Sequence, residues 1–252
     1  MGNVFEVNPL YDSVIICPNL YGNEATAQGW FTSIAAFGAQ QEHRFFKNRN
    51  QANVGLAYNN MLSQDRADYA YHAVSLGVIF QAPITPFEVL TGEVTSNRFL
   101  SSFWLFDLPN HVSVSFKLGQ DIRLEANGYH VPSGYGAIGG GMTQGQDDYP
   151  LVPANGSLTQ AVWNGTQGIP TKENRYVFER EIDIPRNQTF EVKLTISEYA
   201  RSILSNCAGP GSYDFVSDDG EGTSTNYFPC RYGIQVSLYG VREVQQRGAM
   251  HA

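Results

Sequence analysis

The sequence predicts an all-β protein whose fold is a jelly-roll β-sandwich. The main observation is a repeated alternation of apolar and polar residues with a period of two, which is typical of half-buried strands. The second is the composition, with 42% hydrophobic residues, 16% charged residues, 15 Phe and 14 Tyr, which favours a folded β-protein over a disordered chain. A single roll with an N-terminal arm is the favoured architecture, and a double jelly roll is the alternative.

The periodicity divides the chain into two parts. Residues 1–66 have weak periodicity and many Asn and Gln residues, so we expect an N-terminal arm or a partial extra layer there. Residues 67–252 are predicted to form the sandwich, with eight strands, the number found in a jelly roll. The predicted strands are Tyr69–Phe80, Phe99–Leu108, His111–Leu118, Asp121–Ala126, Tyr176–Ile184, Thr189–Ile196, Tyr213–Val216 and Tyr232–Val244.

The clearest alternation predicts a hairpin in the middle of the chain. In His111–Leu118 every second residue is apolar, and Gly119-Gln120 then suits a tight turn. The return strand is Asp121–Ala126, with Ile122, Leu124 and Ala126 expected to face the core.

The same pattern predicts a second hairpin near residue 186. Strands Tyr176–Ile184 and Thr189–Ile196 flank the turn residues Pro185-Arg186-Asn187. On the first strand, one face carries three carboxylates, and we expect this face to be solvated or to contact another subunit, with nearby cations offsetting the charge. The carboxylates are Glu179, Glu181 and Asp183, and the candidate cations are Lys193 and Arg201.

Three other segments lack this simple alternation. Phe99–Leu108 and Tyr69–Phe80 are almost continuously apolar, which favours strands buried on both faces or at an interface. Ser197–Leu204 begins with a good N-cap residue and is the one predicted helix.

Residues 128–168 form a Gly-rich stretch, predicted to be a long loop. Loops of this length in compact domains are usually functional or ordered by another chain. Four aromatic residues lie in this stretch and are candidates for subunit contacts, although burial in the core and stacking on sugars are the other interpretations. They are Tyr129, Tyr135, Tyr149 and Trp163.

Catalytic motifs are absent from the sequence, and one weak candidate for a metal site is present. The five His residues lack metal-ligand spacing, and no nucleophile elbow or phosphate-binding loop occurs, so we expect no enzymatic activity. Four carboxylates around Gly220 are a candidate Ca²⁺ site, because hard cations prefer oxygen ligands, although the spacing differs from an EF-hand. They are Asp214, Asp218, Asp219 and Glu221, and no other cofactor is expected.

Charge and cysteine content exclude further classes. The net charge is −8 and the first basic residue is Arg44, so we expect no direct binding of nucleic acid. Cys17, Cys207 and Cys230 are odd in number and lack zinc-site spacing. No secretory segment or membrane span is evident, and synthesis in a cytoplasm is expected.

Two late segments resemble a known class of proteins. Tyr176–Ile196 and Gly233–Val244 resemble the closing strands of jelly-roll capsid and virion structural proteins of bacteriophages. The resemblance implies self-assembly into an icosahedral shell or vertex through loops and the N-terminal arm, with copies of the chain and other virion proteins as partners. It implies a location in the virion after synthesis in the host cytoplasm, and it leaves contact with an internal membrane open.

The loop aromatics support an alternative function. Exposed rings stack on sugars, so a carbohydrate-binding β-sandwich module, lectin-like or receptor-binding, is the competing hypothesis. A β-sandwich hydrolase acting through paired carboxylates is a third class, for which the sequence offers no positive signal.

Overall fold

A computed structural model gives the fold. It describes residues 3–16, 31–32, 34–46, 60, 66–67, 69–81, 103–132, 140–144, 160–164, 175–207 and 232–245. Within these ranges the protein is built from twelve strands in mostly antiparallel sheets, with two short α-helices. The predicted all-β class is therefore confirmed.

The strands and helices are numbered in chain order. The strands are β1 Asn3–Val7, β2 Leu10–Ile16, β3 Phe31–Thr32, β4 Glu42–Phe45, β5 Tyr71–Gln81, β6 Val112–Leu118, β7 Asp121–Asn127, β8 Gly140–Gln144, β9 Gln160–Asn164, β10 Tyr176–Ile184, β11 Phe190–Ile196 and β12 Tyr232–Gln245. The helices are α1 Ile34–Ala39 and α2 Glu198–Cys207.

The first sheet has the strand order β10-β5-β12-β2-β3, and β1 also pairs with β12. β1 and β2 lie on β12 in one continuous register, because Val7 faces Val241 and Leu10 faces Leu238. They are one long strand interrupted at Asn8-Pro9, where proline has no N–H to contribute. The 14-residue β12 is therefore paired along its whole length.

The second sheet has the order β4-β11-β6-β7. β11 shows why these residues form strands: its burial alternates strictly, with Phe190, Val192, Leu194 and Ile196 buried and the residues between them half-buried. An alternating strand of this kind places one face on a core and leaves the other near solvent.

The two sheets face each other across a shared apolar core. Phe116 of the second sheet and Phe178 of the first have ring centroids 5.9 Å apart. Trp104 is fully buried at one end of the core, and its ring lies 5.6 Å from Phe37 and 5.3 Å from Tyr232. The arrangement is a β-sandwich.

The N-terminal residues differ from the prediction. Strands β1, β2 and β4 all lie within residues 1–66, yet β2 pairs with β12 in the first sheet and β4 with β11 in the second. The expectation of an arm or an extra layer is therefore wrong for these strands. Their partners lie far away in sequence, and long-range pairing leaves no local signal.

The predicted hairpin around residues 185–187 is also wrong. Both strands exist, but β10 pairs with β5 in the first sheet while β11 pairs with β4 and β6 in the second. The turn carries the chain from one sheet to the other, with Asn187 in the left-handed region at φ 65°. Turn residues report a reversal of direction, and they do not report which strands pair.

The predicted strand Phe99–Leu108 is replaced by helical turns in its described part. Phe103–Asp107 forms a π-helical turn, and Leu108–His111 forms a 3₁₀ turn with proline near its start. Phe103, Trp104 and Leu105 are buried, as the apolar run predicted. A short apolar run fits a buried helix and a buried strand equally, so periodicity could not separate them.

The hairpin of β6 and β7 is confirmed, but the prediction placed one side chain, Ile122, on the wrong face. Gly119 occupies the turn at φ 62°, a conformation that glycine adopts without strain. The register shifts between Phe116 and Lys117, so Ile122 turns outward and is 55% exposed. This bulge breaks the strict alternation that predicted Ile122 in the core.

The rest of the chain matches the prediction in part. Residues 128–168 contain a 3₁₀ turn and the two-stranded sheet of β8 and β9, so the stretch is not purely loop. The predicted helix is present as α2, and the Ser197 hydroxyl accepts a hydrogen bond from the Ala200 N–H at 3.3 Å. The predicted strand Tyr213–Val216 lies outside the described residues. None of the described helices is long and apolar enough to cross a bilayer.

Candidate functional site

The outer edge of β1 carries backbone groups that point away from β12. The N–H of Asn8 donates to the Gly240 carbonyl at 3.3 Å. In the same register, the backbone N–H and C=O groups of the even-numbered residues of β1 point toward β12. The N–H and C=O groups of Phe5 and Val7 therefore point to the opposite edge. Among the described residues, none bonds to this edge at Phe5 or Val7.

Asn60 bonds to the outward backbone groups of odd-numbered residues farther along the same edge, at Pro9 and Tyr11. Its side-chain oxygen accepts a hydrogen bond from the Tyr11 N–H at 2.8 Å, and its own N–H donates to the Tyr11 carbonyl at 3.2 Å. Its side-chain amide also donates to the Pro9 carbonyl. Asn60 thus occupies the edge at Pro9 and Tyr11, and within the described ranges no residue bonds to it at Val7.

The side chains beside this edge are apolar and exposed. Val7 is 85% exposed and Phe5 is 55% exposed. Val7 faces Val241 of β12, Val241 faces His72 of β5, and the Phe5 ring lies 5.6 Å from the His72 ring. We call Phe5, Val7, Val241 and His72 the β1 patch.

A hydrogen-bonded histidine and aspartate border the β1 patch on the side of β10. His72 Nδ1 lies 2.6 Å from a carboxylate oxygen of Asp183, whose side chain is 75% exposed. Asp183 was predicted to face solvent or another subunit, and its exposure confirms that it lies on the surface. The side chain beside it is His72, and not Lys193 or Arg201 as the sequence predicted.

The opposite face of β1 is electrically balanced. Arg242 donates to the Glu6 carboxylate at 2.6 Å, and its guanidinium lies 5.2 Å from the centre of the Tyr69 ring. Glu6, the one charged residue of β1, is therefore neutralised within the subunit.

A buried tyrosine fixes the base of β1 at the Asn8-Pro9 interruption. The Tyr71 hydroxyl lies 2.8 Å from the carbonyl oxygens of both Asn8 and Leu238 and donates its proton there. Burial raises the pKa of this hydroxyl above its ordinary value, so it stays protonated as a donor. Tyr71 of β5 thus ties the Asn8-Pro9 interruption to β12.

A groove of about 450 Å³ forms a second surface feature, between the edge strands β7 and β10. The β10 register jumps at this point: Val177 faces Ser75 and Ile182 faces Ala73, so residues 178–181 form a bulge that is not paired with β5. Bulges of this kind re-aim side chains and are common beside functional sites.

The lining of this groove mixes aromatic rings with charges of both signs. The Tyr176 and Phe178 rings pack edge to face at 5.8 Å, and Arg123, Arg180 and Glu181 complete the polar side. Glu179 and Glu181 are exposed, as the sequence predicted. Rings beside guanidinium and carboxylate groups suit a polyhydroxylated ligand.

A wider depression of about 670 Å³ lies where α2 begins, beside β6 and β7. His111 lines it, with Nε2 3.4 Å from an oxygen of Asp107 and its ring 4.8 Å from Tyr199. Its side chain is 30% exposed because these neighbours partly cover it. Its ring nitrogen already has a partner within the chain.

Lys193, a candidate cation from the sequence, and Arg44, the first basic residue of the chain, both contact carboxylates near β4. Lys193 donates to Glu42 at 2.8 Å, and this hydrogen bond, with the charges of Lys193 and Arg44, holds the pKa of Glu42 below its ordinary value. Arg44 contacts Glu42 at 3.4 Å and lies 3.9 Å from Glu191. These cations neutralise carboxylates of the same subunit.

The predicted site residues are placed only in part. Tyr129 lies in the 3₁₀ turn after β7 and is 63% exposed. Trp163 lies in β9 opposite Gly141, but its side chain is outside what the structure describes. Tyr135 and Tyr149 fall outside the described residues, as do the four predicted Ca²⁺ ligands, Asp214, Asp218, Asp219 and Glu221.

The described part of the chain contains no group of three or more His, Cys, Asp or Glu that could hold a metal ion.

The β1 patch was not predicted from the sequence, although Phe5 and Val7 alternate with Glu6, which is a short strand signal. No protein-family model, curated protein or solved structure was found to match this chain.

Proposed function

We propose that this chain is a structural protein of a virion, that it assembles with copies of itself, and that its sandwich is a single jelly roll. The observation that carries the proposal is the pattern of strand pairing. The surface features of β1 and the sequence likeness of the late strands to bacteriophage capsid proteins add support.

In the part of the chain that the structure describes, eight strands make up the two main layers of the sandwich. β1 continues β2, β3 is a two-residue strand at the sheet edge, and β8 with β9 forms a separate sheet. The remaining strands, in chain order, are β2, β4, β5, β6, β7, β10, β11 and β12.

These eight strands pair in a nested order. The first pairs with the eighth, the second with the seventh, the third with the sixth and the fourth with the fifth. The inner contacts, β12 with β5 and β11 with β6, then complete two four-stranded layers. This order supports a jelly roll, because a long hairpin wound into two sheets would pair its strands in the same way.

A jelly roll suits a shell subunit for physical reasons. Its two layers make rigid walls, and its exposed edges and turns can meet neighbouring copies. A stable contact buries about 800 Å² on each partner, and exposed apolar side chains such as Phe5, Val7 and Tyr129 are the kind that such contacts cover.

Light scattering coupled to size-exclusion chromatography, with electron microscopy of the same fractions, tests the proposal. The purified full chain is expected to form particles or sheets of regular spacing as its concentration rises. A chain that remains a monodisperse monomer at the highest soluble concentration, across a range of salt, would contradict self-assembly.

The groove between β7 and β10 supports a second candidate function, carbohydrate binding. The Tyr176 ring beside Arg123 and Glu181 offers a stacking surface with polar groups around it. Glycan-array binding that is lost in Tyr176→Ala but kept in Tyr199→Ala, another surface tyrosine outside the groove, would favour this function. An array without signal would remove it.

A further inference from the structure

We infer that β1 is a pairing edge for a second copy of this chain, and that two β1 strands join antiparallel about a two-fold axis at Phe5. The inference rests on the proposed self-assembly and names the partner of one surface. Two properties of β1 motivate it: outward backbone groups at Phe5 and Val7, and exposed apolar side chains at the same residues.

An open strand edge of this kind is a template for adding another strand. Proteins that remain monomeric usually protect such edges with lysine, proline or a covering element. The proline nearest to this edge is Pro9, and it lies beyond the open stretch, next to Asn60. Residues 3–7 include no basic residue, and nothing in the described part of the chain covers their outer edge at Phe5 or Val7.

The register follows from which backbone groups point outward. The outward residues are Asn3, Phe5 and Val7, and in an antiparallel pair outward residues must face outward residues. Placing Phe5 opposite the second Phe5 also sets Asn3 opposite Val7 and uses all three outward residues on each strand, for about six hydrogen bonds.

Other registers fare worse on specific grounds. Sliding the strands to place Val7 opposite Val7 brings Phe5 against Pro9, which has no N–H and whose carbonyl already accepts from Asn60. Placing Glu6 opposite Glu6 sets like charges face to face. The Phe5-centred register avoids both problems.

Charge and side-chain packing agree with this register. Val4 then faces the second Glu6, and each Glu6 is already neutralised by its own Arg242 at 2.6 Å. On the other face the two Phe5 rings lie across the axis, flanked by the two Val7 side chains, so the apolar atoms of Phe5 and Val7 on both copies leave water together. A contact of this kind is isologous, since both copies use the same surface.

Disulfide trapping of the full chain tests the register. In the inferred pair the two Phe5 Cα atoms are about 5.5 Å apart, within the range of about 4.4–6.8 Å that a disulfide spans. The two Val7 Cα atoms are offset along the strands by about 14 Å. Under mild oxidation, Phe5→Cys is therefore expected to give a covalent dimer well above the level of the unchanged chain, and Val7→Cys is not.

A second pair of variants tests the hydrogen bonds. Val7→Pro removes an outward N–H and leaves the ladder to β12 intact, because the Val7 N–H points away from β12. It is expected to weaken dimer formation at least tenfold, while Val7→Ala, which keeps the N–H, changes it far less. Both variants should keep the melting temperature of the unchanged chain.

The outcomes separate this inference from the proposed function. Particles that form normally, with no trapping at Phe5→Cys, would overturn the β1 pairing and leave the proposed function standing. Equal trapping at Phe5→Cys and Val7→Cys would overturn the register. A trapped dimer that never grows into particles would support the β1 pairing and count against the virion role.

Discussion

The backbone N–H of Phe46 donates to the carboxylate of Asp12 at 2.7 Å, and this bond ties the two sheets together. Asp12 belongs to β2 in the first sheet, and Phe46 directly follows β4 in the second. Phe46 has a φ of 66°, a left-handed conformation that costs a non-glycine residue about 1–2 kcal/mol. Its buried ring, 5.4 Å from Phe190, keeps this bulky residue in place.

Removing the Asp12 carboxylate should therefore destabilise the sandwich. For Asp12→Ala we expect the free energy of unfolding to fall by about 1.5–3 kcal/mol, since the bond is to a charged acceptor and the strained turn loses its support. Urea denaturation followed by circular dichroism measures this. Asp12→Asn keeps an oxygen acceptor and should lose less, and an unchanged midpoint in Asp12→Ala would contradict the role assigned to this bond.

Buried His43 in β4 makes the stability of the protein depend on pH. The His43 ring stacks on Phe37 with centroids 3.8 Å apart, and its Nε2 lies 3.2 Å from the Phe37 carbonyl. Burial lowers the pKa of His43 from 6.5 to about 4, only partly opposed by the bond to Phe37. The folded chain therefore keeps this ring neutral where an unfolded chain protonates it.

The stability of the protein should fall as the pH drops from 6.5 to about 4. Over that interval the unfolded state takes up a proton at His43 and the folded state does not, so about 3 kcal/mol is lost, and below about pH 4 the loss stops growing. Unfolding midpoints of the unchanged chain and of His43→Phe, which cannot titrate, should run parallel above about pH 7 and diverge as the pH falls below it. Parallel curves throughout would show that His43 is not the group responsible.

Local alternation located several of the strands that pack one face on the core, although it missed β4. In β11, Phe190, Val192, Leu194 and Ile196 are all buried, as their spacing predicted. The N-cap at Ser197 likewise located α2, because capping is decided by neighbours within one turn.

Pairing was not predictable from the same information. β2 meets β12 more than two hundred residues later, and the turn after Ile184 connects two sheets although its residues look like a hairpin turn. Alternation fixes which side chains share a face, and it does not fix which strand lies alongside. The β1 patch was not predicted for the same reason, since the exposure of Phe5 and Val7 depends on which strands lie beside β1.

The exposed ring of Tyr129 leads to a prediction about assembly. Its N–H donates to the Asn127 side chain at 2.8 Å, so the turn is held by backbone and asparagine while the ring is 63% exposed. Tyr129→Ala should raise the concentration needed for particle formation and change the free energy of unfolding by less than about 0.5 kcal/mol.

Tyr199→Ala is the matched control for this measurement by light scattering. Tyr199 is similarly exposed, at 57%, but its ring packs on His111 of the same chain. If both variants assemble as the unchanged chain does, Tyr129 takes no part in a subunit contact.

The last prediction concerns Gly240, where the pairing of β12 passes from β2 to β1. The register with β5 shifts between Tyr239 and Gly240, and a Cβ at Gly240 would collide with the His72 carbonyl oxygen. Gly240→Ala should therefore lower the free energy of unfolding by about 3 kcal/mol, because backbone must move to admit the methyl group.

Gly233→Ala, in the same strand, is the control. A Cβ there would lie 3.1 Å from the end of the flexible Gln81 side chain, which can move aside, so a much smaller loss is expected. Because the segment after Gly240 positions Val241 and Arg242 against β1, Gly240→Ala should also reduce covalent dimer formation in the Phe5→Cys background. Equal effects of the two glycine substitutions in thermal unfolding would mean that the close approach to His72 does not constrain this strand.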